Sequence, residues 1–563
     1  MTSPVRAITF ASLLALAACQ REAPAPAKPA LQVSAPTPIE EAPQPKTEAE
    51  RRIAEDVKQL ADDRMEGRET GTRGYDLAAE YVAKRFREIG LVPAGDDGSY
   101  FQAVPLLEAR VEQAGAELRV TRNGRDIALR FQDQFLPAAN FNAPEHRVEA
   151  AAVFVGQGVH APTLGHDDFA GLDLKGKIAV VFGGAPARFD NDRRAFHSSS
   201  REKLRALVAR GAVGAVFVNT PEDEAGSPWA QRAADWRASS MRLRGSDGKG
   251  LWTFPELRGI AYVSAASADL VFADGPRTAA QLFDAARAGT LKGFALPGTL
   301  TLAGRTTLKP IESRNVVAAL PGGDPALAGE STVFTAHLDH VGIGPAVEGD
   351  TIRNGALDNA LGVAIMLEAA RALKTGPAPK RGTLFIATTA EEKGLLGAEW
   401  FATHPVAAAG TMVANINIDM PVLLAPSRDV VPVGVEHSSL KQVLDTAAKE
   451  IGVEQSPDPF PEEVVFVRSD QYAFIRTGVP AVYLMGGMVS ADGERDPGRA
   501  LQNFLRRHYH QPSDEATLPI VWSDAARLAA LNARIARIVG DAKTRPTWNA
   551  GNFFGETFAA GKP

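Results

Sequence analysis

From Glu48 onward apolar residues recur at helical spacing through Ile53, Val57 and Leu60. A second helix is predicted from about Gly74 to Ile89, with Leu77, Ala78, Tyr81, Val82 and Phe86 inward and Gly90 as its stop. The stretch Gly67-Arg68-Glu69-Thr70-Gly71-Thr72 between them reads as a loop. Alternation replaces this period from Ala116 to Phe131, where Asn123-Gly124 separates Leu118-Arg119-Val120 from Ile127-Ala128-Leu129 and predicts a tight hairpin. Between 135 and 295 the apolar runs are short and strand-like, as in Ala152–Val155, Ile178–Phe182 and Val213–Val218, with one helix from Lys203 to Arg210.

From about Leu308 strands and helices alternate. Strands are predicted at Asn315–Leu320, Thr332–Ala336, Leu384–Ala387, 412–418 and Ala481–Leu484, with helices near 359–373, 395–403, 438–450 and 523–538. This alternation predicts an α/β fold, a mixed central sheet with helices on both faces, interrupted by a β-rich insertion at 135–295. The expected organisation is a leader at 1–19, a Pro/Ala-rich tether at 20–46, two parts of the main body at 47–134 and 296–542 around the insertion, and a tail at 543–563. In that tail Phe553, Phe554 and Phe558 are candidates to pack on the body.

Composition narrows the function. The 563 residues are 45% hydrophobic and 23% charged, an ordinary globular mixture. A net charge of -6 and no basic stripe with interleaved aromatics argue against nucleic acid as partner. The single cysteine excludes internal disulfides and thiolate-based zinc sites, so any metal must be held by His, Asp and Glu.

That cysteine also carries information by position. Arg6 precedes the apolar stretch Ala7–Ala15, too short to span a bilayer but suited to a signal h-region. Leu16-Ala17-Ala18-Cys19 resembles the bacterial lipoprotein box, which implies lipidation at Cys19; a plain cleaved signal is the alternative. Gln20 stands where an inner-membrane retention signal usually places Asp, so the expectation is export to the bacterial envelope, with an N-terminal lipid anchor in the outer membrane as the only membrane contact.

Polar clusters end several of the apolar runs: His337-Leu338-Asp339, Asp358-Asn359, Glu391-Glu392, Asp419 and, further on, His510. Carboxylates and imidazoles at buried strand ends are costly unless a cation compensates them. A two-metal site with ions about 3.5–4 Å apart needs two ligands per ion, a shared carboxylate and a free base. Individually the residues admit plainer readings. Asp358 also fits a helix N-cap, Asp419 a turn, and His510 an exposed loop, while His340 competes with His337 as a ligand. Adjacent Glu391 and Glu392 are harder to explain without a cation, and Asp339 is placed to accept the spare ring N–H of His337.

The ordered segments Ala336–His340, Gly355–Ala360, Ala390–Gly394, Asn417–Met420 and Tyr509–Asp514 resemble the motifs of the di-zinc exopeptidases typified by bacterial leucyl aminopeptidase and glutamate carboxypeptidase. The resemblance covers about residues 50–540, with Ser469-Asp470 and Gly478–Ala481 similar to a late substrate-site segment. Within the insertion, Asp168–Ile178 and Ala209–Val216 resemble the protease-associated domain. The resemblance implies two Zn²⁺ ions, with Co²⁺ or Mn²⁺ as substitutes, one held by His337 and Asp419, the other by Glu392 and His510, and Asp358 bridging them. It implies a zinc-activated water attacking a peptide carbonyl, with Glu391 as general base and Tyr509 as a candidate donor to the oxyanion. Family members commonly carry a second Asp where Leu357 stands, so altered local packing or pKa is expected there. An aminopeptidase is the leading expectation; a carboxypeptidase, a single-zinc glutaminyl cyclase and a non-catalytic receptor-like protein are the alternatives. Tyr472, Phe474, Tyr483 and Met485 lie near the late motif as core or specificity residues. Oligomeric state is left open.

Overall fold

Two long strands, Phe101–Arg122 and Phe294–Leu320, tie the chain together. In the computed structural model, which describes residues 43–559, they run antiparallel from Phe101 opposite Val316 to Thr121 opposite Thr299. The leader, Cys19 and most of the Pro/Ala tether lie outside the described residues. At one end Val316–Leu320 pairs with the strand Gly382–Thr388; at the other Thr299–Arg305 pairs with Glu145–Phe154. One sheet therefore runs from the first body into the insertion without a break.

The sequence marked only the ends of these strands, as the hairpin and the segment Asn315–Leu320. The middle of Phe101–Arg122 lies largely in solvent, so no apolar alternation reveals it. The hairpin forms as expected: Arg119–Arg122 pairs with Arg125–Ala128 around Asn123 and Gly124, both at positive φ.

In the first body the strands Glu330–His337, Gly382–Thr388, Thr411–Asn417 and Ala481–Gly486 are parallel, while Asp429–Val433 runs antiparallel to the last of them, so the sheet is mixed. Period-2 alternation sends successive side chains to opposite faces. Val316, Phe334, Ala336, Phe385 and Ala387 join the core under the helices Glu48–Leu60, Arg73–Ile89, Leu361–Thr375 and Trp522–Asp541. Val317, Val333, Leu384 and Ile386 pack on the other face against Leu396–Thr403 and Gln471–Ile475. No helix among the described residues is long and apolar enough to cross a membrane.

In the insertion Glu145–Phe154, Ile178–Phe182, Gly214–Val218 and Ile260–Val263 form parallel neighbours. Phe154, Val180, Phe182 and Val216 fill one face and Val153, Val181, Ala215 and Phe217 the other. Helices Asn191–Ser198, Ser200–Val208 and Ala279–Arg287 also belong here, where the sequence suggested one. Asn191–Ser198 buries no residue, so it carries no apolar stripe to read. It docks on the first body: Asn191 Nδ2 donates to the Pro461 carbonyl at 2.7 Å, and the Phe196 ring lies 5.5 Å from Phe553 and 6.0 Å from Phe558. Phe553–Phe558 forms a short C-terminal helix whose Phe554 is fully buried, as the tail aromatics suggested.

Lys203 is 2% exposed, and its amine donates to the carbonyls of Gln157 and Gly184. Burial pushes this amine down to about 7, against the pull of Asp168 and Asp223. Because the unfolded chain binds the proton more readily, this group's contribution to stability rises with pH between about 7 and the unfolded lysine value and is lost as pH falls toward 7. Lys203→Met should flatten the rise in thermal stability between pH 7 and pH 10, at most about 1.4 kcal/mol per pH unit. Parallel pH profiles of wild type and variant by calorimetry measure this.

Candidate metal centre

Three of the parallel strands end side by side: His337 lies opposite Thr388, and Thr335 opposite Asn417. The chain leaves each strand through a polar segment, bringing His337, Glu391-Glu392 and Asp419 to one edge, the usual ligand position in α/β sheets. Ala390, Met420 and His510 adopt positive φ (55°, 40° and 56°), a strained conformation for side chains with a Cβ and one that gathers at functional sites. Asp358 sits in the wide turn Ala356–Ala360, ahead of the helix Leu361–Thr375. The capping role open to Asp358 falls to its neighbour: Asn359 Oδ1 accepts from Gly362 N at 3.1 Å and Met420 N at 3.2 Å.

The side chains converge in two groups that share Asp358: His337, Asp358 and Asp419, and His340, Asp358, Glu392 and His510. His337 Nε2 is 3.0 Å from Asp419 Oδ1 and 3.3 Å from Asp358 Oδ1. The other Asp358 oxygen faces His510 Nε2 at 3.2 Å, and His510 Nε2 is also 3.2 Å from Glu392 Oε1. Its two carboxylate oxygens thus serve different groups, the arrangement a bridging ligand requires. His510 Nε2 is buried and makes no hydrogen bond despite these two carboxylate neighbours, a geometry that fits a shared cation. Glu391 belongs to neither group.

The charge balance favours cations. His337 is raised well above the usual imidazole range: burial opposes this, but Asp419, Glu391 and Asp358 prevail. His510 is likewise raised to about 10, with Asp358 and Glu392 overcoming burial. For Glu392, burial and Asp358 push the carboxyl up, yet His340 and His510 hold it at about 2. Glu391 goes the other way: burial, reinforced by Asp419 and Glu392 against the pull of His337, moves it well above the ordinary carboxyl range.

Backbone clamps hold the groups. Asp339 accepts from Glu391 N at 3.0 Å, Glu392 N at 3.3 Å and the Thr70 hydroxyl at 3.2 Å. The expected bond from His337 to the Asp339 carboxylate is not formed: His337 Nδ1 donates to the Asp339 backbone carbonyl at 3.0 Å, because the carboxylate is turned to these N–H groups. The imidazole is still oriented through its second nitrogen. Asp514 is fully buried and accepts from Leu357 N at 2.9 Å and Asp358 N at 3.0 Å. Arg68, also fully buried, donates to the carbonyls of Leu338 (2.8 Å), Leu60 (2.7 Å) and Gly355 (2.9 Å).

All the sequence-named ligands meet here. The side chain of Leu357 enters the helix-covered core, which accounts for an apolar residue at that position. His340 does not replace His337; it joins the second group, donating from Nδ1 to Glu392 Oε1 at 2.9 Å. Tyr509 is 39% exposed and stacks on His510 with centroids 3.9 Å apart, and partial desolvation with the carboxylates of Asp358 and Glu392 pushes its phenol up. Of the late-segment residues, Phe474 is core, and Tyr483 donates its hydroxyl to the Asp419 carbonyl at 2.8 Å. Sequence reasoning missed Arg68 and Thr70, which sit in what reads as a loop, and the clamping role of Asp514.

Residues 315–536 match peptidase family M28, and residues 147–251 match the PA domain. A search of curated proteins found no match. Among solved structures, an aminopeptidase from Aneurinibacillus sp. strain AM-1 is 19% identical and matches over 89% of this chain and 98% of its own, with a TM-score of 0.50. A zinc aminopeptidase from Bacillus subtilis matches over the same shares at 19% identity with a TM-score of 0.44. An M28 peptidase precursor from Shewanella amazonensis matches over 88% and 97% at 17% identity, TM-score 0.41. At such identities the likeness is one of fold.

Asp514→Asn removes one of two acceptors behind Leu357 and Asp358. It should lower divalent-metal affinity by about 10- to 100-fold with the circular dichroism spectrum retained. Competition against a fluorescent chelator reads this, and unchanged affinity would take Asp514 out of the supporting set.

Proposed function

We propose that this chain, a metallo-exopeptidase of peptidase family M28 with a PA domain, is a two-zinc aminopeptidase that releases N-terminal residues from peptides. Three carboxylates, Asp358, Glu392 and Asp419, lie in the two donor groups, and the shared position of Asp358 supports a pair of ions. His337 and Asp419 would hold one, Glu392 and His510 the other, with Asp358 between them and His340 steadying Glu392. When bound, the ions would supply Lewis-acid polarisation of the scissile carbonyl and lower the pKa of a bound water.

The observation that carries this reading is the division of labour between adjacent glutamates. Glu392 lies within a donor group, whereas Glu391 lies in neither and has its carboxyl raised by burial. Such a carboxylate suits a base that must later act as an acid. Glu391 takes a proton from the attacking water as the C–O bond forms and returns it to the leaving amine as the C–N bond breaks. Tyr509, kept protonated beside His510, is the donor to the developing oxyanion. The preference for the amino terminus draws on the aminopeptidase from Aneurinibacillus, whose fold this chain shares.

Glu391→Gln should keep its zinc and lose about 10²- to 10⁴-fold in kcat/KM on aminoacyl-arylamides. Metal analysis and steady-state kinetics with and without chelator test this. Undiminished turnover removes Glu391 from the mechanism. Chelator-sensitive cleavage of N-blocked peptides, with free-amino substrates ignored, would overturn the aminopeptidase reading in favour of a carboxypeptidase.

A further inference from the structure

A cavity of 320 Å³ lies between the insertion and the segment that follows the two glutamates. Gly394 and Glu399 line it from the first body; Phe141, Arg201, Arg242 and Trp252 line it from the insertion. Gly394 follows Glu392 by two residues, so their Cα atoms are at most about 7.6 Å apart. A Cβ added to Gly394 would meet nothing within 4 Å, so the chain here borders open space.

The charges in this cavity do not cancel. Arg201 pairs with Glu399 at 2.6 Å and lies 4.1 Å over the Trp252 ring, yet its Nε is buried without a hydrogen-bond partner. Arg242 lies 5.0 Å over the Phe141 ring, and its guanidinium makes one hydrogen bond, from Nη1 to the Met241 carbonyl at 2.7 Å. Among the described residues no carboxylate lies within ion-pair distance of Arg242. Two guanidiniums thus face one carboxylate in a half-open, aromatic-walled space, and the buried Nε of Arg201 lacks a partner. A buried donor left unfilled beside a guanidinium with no ion-pair partner favours an anion, and a planar guanidinium stacked on a ring is suited to a carboxylate.

We infer that this cavity is a subsite for the C-terminal carboxylate of short peptides, so that the site beside Glu391 acts on chains whose far end reaches Arg242. The inference rests on the exopeptidase reading and adds a substrate class to it: short peptides ending in an apolar residue. The apolar walls receive the last side chain, and the Arg242 fork receives the carboxylate.

Calorimetry on the zinc-loaded full chain tests the subsite without requiring turnover. N-acetyl-phenylalanine should bind about ten-fold or more tightly than its C-terminal amide. Arg242→Met should abolish that difference, and Arg242→Lys, which keeps the charge but not the fork, should restore part of it. Steady-state kinetics on Leu-Ala-Phe and Leu-Ala-Ala-Phe, each as free acid and amide, should show the same acid preference in kcat/KM and its loss in Arg242→Met. Equal binding of acid and amide, or acid binding undiminished in both variants, overturns the proposal. Tighter binding of N-acetyl-aspartyl-phenylalaninamide than of the free acid would also overturn it, assigning the cavity to acidic side chains. If the acid binds as expected while no peptide is hydrolysed, the subsite stands and the catalytic reading fails.

Discussion

The site depends on a cation the chain supplies itself. Arg68 has no solvent exposure, and its guanidinium gathers carbonyl oxygens from the end of the first helix, from Leu338 beside the first ligand pair, and from Asn354 and Gly355 ahead of Asp358. Burial lowers its pKa to about 10, with Asp514, Asp358, Asp339 and Glu392 opposing the fall, so it stays charged at neutral pH. A buried guanidinium is tolerated only when its donors are filled, and each of these carbonyls would otherwise be an unpaired buried acceptor. The mutual requirement fixes two loops of the candidate site to a segment that is nearly 300 residues away in sequence.

Around that anchor the ligands support one another crosswise. Asp339 follows His337 by two residues but clamps the amides of Glu391 and Glu392; Asp514 follows His510 but clamps those of Leu357 and Asp358. A displacement of one of these segments is therefore felt by another. Below them Asn417 donates to Ser469 and Gln471, so the segment after Val467 is tied to the strand that delivers Asp419. Satisfied buried polar networks of this kind hold one arrangement of a core. They also explain how several residues at positive φ persist at the strand ends.

Much of this was legible because of where the polar residues interrupt apolar runs. His337, Glu391-Glu392 and Asp419 follow buried strands, and strand ends are where α/β sheets place their chemistry. The helix-covered sheet was legible for the same reason, since strands buried on both faces read as continuous apolar runs. Arg68 was not, because a charged residue between two helices carries no sign of being buried; its role appears only once carbonyls distant in sequence meet around it. Nor was the second place taken by His340, which depends on how the loop after Leu338 turns. The long paired strands escaped because their solvent-facing middle has neither period, and the helix at Asn191 because it buries no side chain.

The pairing of Phe101–Arg122 with Phe294–Leu320 bears on how the molecule handles its substrates. Both connections to the insertion lie in one hydrogen-bonded ribbon, whose single irregularity falls between Ala303 and Arg305. A lid swings on a loop that absorbs backbone rotation; a ribbon in register can twist, but opening it breaks its ladder. The width of the gap beside Gly394 is thus tied to the twist of a paired ladder rather than to the swing of a loop. On the peptidase reading proposed above, peptides are gauged by whether they fit the molecule near rest.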